Sequence, residues 1–299
     1  MSVDFAALKK NRKSQFEKLT TELTKLEQPK QGSQEDNRFW KPEVDKAGNG
    51  FAVIRFLPAP PNEDVPFVRV WDHGFQGPNG WYIEKSLTTL GQKDPVSEYN
   101  SQLWATGTKE NQAIVRKQKR RLYFISNIYV VKDSAHPENE GKVFLYQYGK
   151  KIWDKLNAAM NPEFEDEASI NPFDLWEGAN FKLKIRNVEG YRNYDKSEFE
   201  EPAPLLDDDS ELEAIWKSEH SLQEFVDPKN FKSYDDLKAR LYKILGLDGS
   251  SPRPQTVTEE VEPPKQKAKP AKQQPVQQDD DEDDDEGIDF FKKLAREEE

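Results

Sequence analysis

Cysteine is absent from all 299 residues, so neither a disulfide framework nor a thiolate metal site can hold this chain together, and cysteine usage says nothing about its compartment. Histidine occurs three times, at His73, His136 and His220. No carboxylate, serine or second imidazole stands in a recognisable catalytic arrangement with any of them, and no phosphate-cradling glycine loop of the Walker type is present. No catalysis and no cofactor are therefore expected, with a metal nuclease built on carboxylates alone as the remaining enzymatic alternative. Long apolar runs are missing too. Nothing approaches the ~20 residues of a membrane span. The N-terminus, with Asp4 and a charged segment after it, lacks the apolar stretch of a secretory signal. A soluble intracellular protein is the expectation.

What is abundant is charge, at 33% of residues, with a net charge of -12. The acidity is unevenly spread. Residues 279–299 hold 12 acidic and 3 basic residues, a balance of -9 that leaves only -3 for the rest. Asp279 to Glu286 are eight acids in a row, and a run of this kind reads as a solvated arm. Residues 250–278, rich in Pro, Gln and Lys, cannot build a core and read as a disordered linker. Beyond the acids, Ile288, Phe291 and Leu294 are spaced for one face of a short terminal helix, which suggests docking on a partner. At the other end, Leu8, Phe16, Leu19, Leu23 and Leu26 give a helical stripe stopped near Pro29, with Lys9, Lys10, Arg12 and Lys13 beside it. The expected division is a basic N-terminal helical arm at 1–28, a core at 29–248 and a disordered linker with an acidic interaction tail at 249–299.

The core reads as α+β. Strands are expected at Phe51 to Leu57, Val65 to Trp71, Trp81 to Ile83, Leu122 to Val131, Lys142 to Tyr148 and Phe181 to Val188. Helices are expected at Ile152 to Met160, Leu212 to Trp216 and Ser233 to Leu245, the last capped by Ser233 and stopped by Gly246. Five or six short strands with helices between them suit a small, partly open barrel of the oligonucleotide-binding type.

Residues 181–186 read Phe-Lys-Leu-Lys-Ile-Arg. With a side-chain period of two, Phe181, Leu183 and Ile185 enter a core while Lys182, Lys184 and Arg186 share one surface, and Tyr191 and Tyr194 follow at once. The pattern recurs. Arg116, Lys117, Lys119, Arg120 and Arg121 run into Leu122, Tyr123 and Phe124, and Tyr146, Tyr148, Lys150, Lys151, Trp153 and Lys155 interleave rings with cations again. Each segment alone is also what an ordinary amphipathic element with a solvated face looks like. Brought together, the three would line a groove in which bases stack on rings and phosphates meet cations, which favours single-stranded nucleic acid. RNA and an acidic nucleic-acid chaperone working through the tail stay open as alternatives.

Longer runs carry a resemblance. Ala52-Val53-Ile54-Arg55-Phe56-Leu57-Pro58, His73-Gly74-Phe75, Trp81-Tyr82-Ile83-Glu84, Gly149-Lys150-Lys151-Ile152-Trp153-Asp154-Lys155, Trp176-Glu177-Gly178-Ala179-Asn180-Phe181 and Asn193-Tyr194-Asp195 resemble the single-stranded DNA-binding, helix-destabilising proteins of the T-even bacteriophages, across roughly residues 46–246. The resemblance implies an oligonucleotide-binding barrel whose cleft takes single-stranded DNA cooperatively and with little sequence preference during phage replication, recombination and repair. Carried over by position, it makes Trp81, Lys119, Arg120, Phe124, Tyr146, Tyr191 and Tyr194 cleft residues. It further implies head-to-tail self-association through a basic segment like Lys9 to Ser14, although Gln15 stands where a second hydroxyl residue belongs. The tail would recruit polymerase, helicase loader, primase and recombination mediator, in the cytoplasm of the infected bacterial host. Where that family holds a structural zinc, His73 survives, but Ser86, Val96 and Tyr99 align with its cysteines. No zinc is expected, and packing must hold the subdomain around residues 73–103.

Overall fold

The computed structural model describes residues 36–164 and 166–247. The expected arm with Lys9, Lys10, Arg12, Lys13 and Ser14, and the expected tail with Ile288, Phe291 and Leu294, lie outside the described residues. From Arg38 onward the described chain belongs to one unit.

Among the described residues there are eight strands: β1 (Gly50–Phe56), β2 (Val68–Gly77), β3 (Gly80–Lys85), β4 (Arg121–Asp133), β5 (Val143–Tyr148), β6 (Phe181–Val188), β7 (Tyr191–Asn193) and β8 (Glu198–Phe199). Five α-helices accompany them: α1 (Pro95–Ala105), α2 (Lys109–Gln118), α3 (Lys150–Met160), α4 (Asp209–Lys217) and α5 (Tyr234–Leu245). The strands run as an open, forked path, β3-β2-β4-β1-β6-β7, with β5 added to β4 and β8 to β6. All of these ladders are antiparallel. The fork is at β4, whose thirteen residues pair with β2 near their start and with β1 near their end, while β5 spans the middle.

The main core forms where these strands present rings and aliphatics inward. Ile54 and Phe56 of β1, Phe124 and Ile128 of β4, Tyr146 and Tyr148 of β5 and Phe181, Leu183 and Ile185 of β6 are all buried in it, roofed by Ile152 and Leu156 of α3. Phe56 is its hub, with Tyr148 at 5.5 Å and Phe181 at 6.0 Å between ring centroids. β5 and β6, distant along the strand path, thus meet over one ring.

Arg55 is wholly buried, and its guanidinium donates to Asn180 Oδ1 at 3.0 Å and to the carbonyls of Asp174 at 3.0 Å and Ala203 at 2.7 Å. It ties the irregular 171–180 segment and the stretch near Ala203 to β1. Burial is the leading influence on this guanidinium and lowers its pKa to about 10, Asp174 and Glu200 opposing.

Helix α5 follows its sequence signals. Ser233 accepts from the Asp236 N–H as N-cap, and Gly246 closes the helix with φ 69, where glycine carries no Cβ penalty. Its stripe of Leu237, Leu241 and Ile244 packs on Phe75, Tyr82, Leu87 and Val96, a second core beneath the β2–β3 hairpin. Helices α1 and α2 were not expected from sequence. Asp94 caps α1, accepting from the Val96 and Ser97 N–H groups with Pro95 in the first turn, and Thr108 caps α2.

A candidate nucleic-acid interface

The alternation Val68-Arg69-Val70-Trp71 sends Val68 and Val70 into an apolar cluster and leaves Arg69 and Trp71 on the other face of β2. The β2–β4 register sets Arg69 opposite Phe124 and Trp71 opposite Leu122, so these four residues share one side of the sheet. Arg120, in the connection between α2 and β4, lays its guanidinium over Trp71, 4.2 Å from the ring centroid. Next along, Trp153 of α3 lies flat on Phe124 at 4.4 Å and 7°. Phe67 meets Trp153 at 4.6 Å. β5 ends at Tyr148, opposite Phe124, and Lys150 opens α3 two residues on, in the same helix whose Trp153 covers Phe124. The first and second basic segments are therefore neighbours.

The third joins them through α3. Lys155 Nζ donates to the Asp195 carbonyl at 3.1 Å, and the charges of Arg186, Lys151 and Lys155 all act on the Asp195 carboxylate. Strand β6 alternates as expected, with Phe181, Leu183 and Ile185 buried and Lys182, Lys184 and Arg186 outward. Each of those cations already has a carboxylate partner: Lys182 with Glu200 at 3.1 Å, Lys184 with Glu198 at 2.7 Å and Arg186 with Asp195 at 3.6 Å. Hydrogen bonding from Asn193 first and the nearby cations next hold the Asp195 carboxyl below its usual range, and Lys184 does the same for Glu198.

Several expected contact residues are placed differently. Arg121 is 4% exposed and turned inward, where its Nε and Nη2 grip the two carboxylate oxygens of Asp72 at 2.9 and 3.0 Å. It opposes Asp72 directly across the β2–β4 ladder, so the charges offset each other inside and no cation is presented to solvent. Phe124, Tyr146 and Tyr194 are 3%, 2% and 3% exposed and belong to the main core. Their rings are consumed by packing: Phe124 lies under Trp153, Tyr146 meets Trp40, and Tyr194, just after β7, enters the same core. Arg116, Lys117, Lys119, Arg120, Lys150 and Tyr191 remain exposed, and Trp81 is half-buried.

Sequence reasoning missed Arg69 and Trp71, although the alternation of β2 carries them. It also missed Trp104, 44% exposed on α1, with the Arg116 guanidinium 5.7 Å above its ring.

His73 holds the subdomain beside this face. Its Nδ1 lies 3.1 Å from the Gln118 carbonyl at the end of α2, and its Nε2 lies 3.1 Å from Asp94 Oδ1 at the start of α1. Asp94 also receives the Leu87, Val96 and Ser97 N–H groups. Burial opposes its ionisation, but hydrogen bonds from His73, Ser97 and Ser86 outweigh it and hold the carboxyl down at about 2. The residues around His73 do not fit zinc: Val96 and Tyr99 point into the apolar cluster under α5, and the Asp94 oxygens are taken by N–H donors. Among the described residues no group of three or more His, Asp or Glu is placed to hold a metal ion. Nor, among them, is any helix long and apolar enough to cross a membrane.

Comparison with known proteins matches residues 48–245 to the family described as gp32 DNA binding protein like. The chain belongs to that family. It is 42% identical over 242 residues to the single-stranded DNA-binding protein of Enterobacteria phage T4, covering 79% of each chain. The single-stranded DNA-binding protein of Enterobacteria phage T2 is likewise 42% identical, over 243 residues and 79% of each chain. The shorter single-stranded DNA-binding protein of Escherichia phage SV14 is 44% identical over 111 residues, 36% of this chain and 97% of the relative. The family match spans all eight strands and all five helices, so the face built on Trp71, Arg120 and Trp153 lies within the shared region.

Proposed function

We propose that this protein binds single-stranded DNA, as its phage relatives' names describe for them, and that it catalyses no reaction on it. The observation that carries the reading is the Arg120–Trp71 stack beside exposed Arg69 and the cations opening α3: phosphate-binding charge set against ring faces on one side of a sheet. A base stacked on such a ring contributes roughly 1–3 kcal/mol whatever its identity, so sequence preference is small. Duplex DNA hides its base faces, so selective binding of open strands shifts melting toward them by mass action. The finer reading of the fold is an oligonucleotide-binding barrel, supported by the meeting of β5 and β6 rings over Phe56. In the same reading residues 1–28 mediate head-to-tail cooperativity, and residues 249–299 engage replication and recombination proteins in the host cytoplasm.

The test is a titration of the full-length protein, followed by tryptophan fluorescence, with poly-dT, a ribose counterpart and duplex DNA at several salt concentrations. Tight binding to poly-dT that weakens linearly in log-log form, by about 0.7 per neutralised phosphate, supports the proposal. Equal affinity for duplex, or a slope near zero, refutes it. Tighter binding to the ribose strand moves the assignment to RNA.

A further inference from the structure

Strand β6 presents Lys182, Lys184 and Arg186 at every second residue, about 6.6 Å apart along the strand. A matching row of acids lies beside it. Glu200, Glu198 and Asp195 each take one of these cations, in reverse chain order, as the chain around β8 runs antiparallel to β6 through Phe181↔Phe199 and Lys182↔Glu198. Backbone pairing holds Glu198 opposite Lys182, one cation away from its ion-pair partner Lys184, and the Glu200 N–H, donating to the Asn180 carbonyl at 2.8 Å, ties down the next acid.

Both rows reach solvent, most openly at Glu198 and Asp195, whose side chains are 59% and 61% accessible, while Lys182, Lys184 and Glu200 are half-buried. Pairs this wet are weak and yield to a stronger anion. The acid row also touches the second basic segment, since Lys155 donates to the Asp195 carbonyl and both Lys155 and Lys182 act on Glu198.

We propose that Asp195, Glu198 and Glu200 form a built-in competitor for the DNA backbone, occupying the β6 cation row in the free protein and giving way to phosphates on binding. This rests on the single-stranded DNA reading. It assigns the three acids a tuning role: they lower affinity and flatten its salt dependence. A phosphate that enters the row sheds its counterions, while the carboxylate it displaces recaptures some from solution.

The experiment measures poly-dT binding by full-length protein across a salt series for Asp195→Asn, Glu198→Gln and Glu200→Gln, singly and combined. The combined variant is expected to bind roughly three- to tenfold more tightly than the parent, with a steeper salt slope. Glu213→Gln breaks an exposed pair with Lys217 on α4 and changes the charge by the same amount as each single variant, so it serves as the control for those and should not change affinity. In a Lys184→Met background the gain from Glu198→Gln should vanish, a coupling that a general charge effect does not produce. Unchanged or weaker binding by both the combined and single variants overturns the proposal. So does an equal gain from Glu213→Gln. A parent protein that fails to bind poly-dT at any salt concentration refutes instead the function on which the proposal rests.

Discussion

Arg120 and Arg121 are adjacent in sequence and should respond to substitution in opposite ways. Arg121 makes two hydrogen bonds to Asp72 in a pair shielded from solvent, and its guanidinium lies so close over Gly74 that a Cβ there would come within 2.5 Å of it. Arg121→Ala leaves the Asp72 carboxylate buried without its counter-charge, a loss of about 3–5 kcal/mol. In a domain of this size each kcal/mol moves the midpoint by roughly 2–4 °C, so the variant should melt about 6–20 °C below the parent. Arg120→Ala removes an exposed guanidinium from the Trp71 face, worth about 0.5–1 kcal/mol, and the midpoint should fall by only ~1–4 °C. Binding reverses the order. Arg120→Ala should reduce the log-log salt slope for poly-dT by about 0.7, the loss of one phosphate contact, whereas folded Arg121→Ala should retain the parental slope. Calorimetry and the salt-series titration on both variants read the two effects separately. An Arg121→Ala protein that melts within 2–3 °C of the parent yet loses salt dependence would falsify the assignment of Arg121 to the interior, and an unchanged slope in Arg120→Ala would remove Trp71 and Arg120 from the interface.

Glu219 has both carboxyl oxygens buried without a hydrogen-bond partner, and burial, with Glu63 nearby, pushes its pKa up to about 9. A raised carboxyl pKa means the folded state holds the proton longer, so this group's contribution to stability is complete below about pH 4.5 and declines as pH rises toward 9. Glu219→Gln should therefore be more stable than the parent by on the order of 2–4 kcal/mol at pH 8, with the gap closing near pH 5 in urea titrations; a pH-independent gap contradicts the reasoning. Gly178 packs against the Asp174 carbonyl and Arg55 Nη1 with no room for a Cβ, so Gly178→Ala should cost on the order of 2–4 kcal/mol by urea denaturation through loss of the Arg55 anchor, and a neutral outcome would mean that the 171–180 segment yields freely.

The parts of this fold legible in sequence are those whose periodicity is produced by one buried face. β6 alternates because its inner side packs on Phe56 and its outer side is wet, and α5 shows a stripe and two caps because it lies on the β2–β3 hairpin. Helix α2 escaped notice because Lys-Glu-Asn-Gln-Ala-Ile-Val-Arg-Lys-Gln has almost no apolar stripe; capping by Thr108 and packing against α1 and β2 support it instead. The site was legible as a list of cations and rings but not as an orientation. Tyr146 and Tyr148 sit two apart on β5 and both face the core, and nothing local distinguishes them from rings that face solvent.

The basic run at 116–121 illustrates what decides orientation. In extended backbone, consecutive side chains point to opposite faces, so two adjacent arginines entering a strand cannot both serve one surface. Arg120 finds Trp71 on the outer face, which leaves Arg121 aimed at the interior, where an isolated charge is prohibitive. The cost is removed by Asp72, which lies 49 positions earlier and on the same side of β2 as Val68 and Val70's inward face, directly opposite in the ladder. Where this basic cluster crosses from helix into strand, an acid on the neighbouring strand marks the cation that is turned inward. By the same logic Arg55 in β1 is buried and donates to one amide and two carbonyl oxygens of the 174–203 stretch, and it is this demand that fixes the loop leading into the β6 cation row.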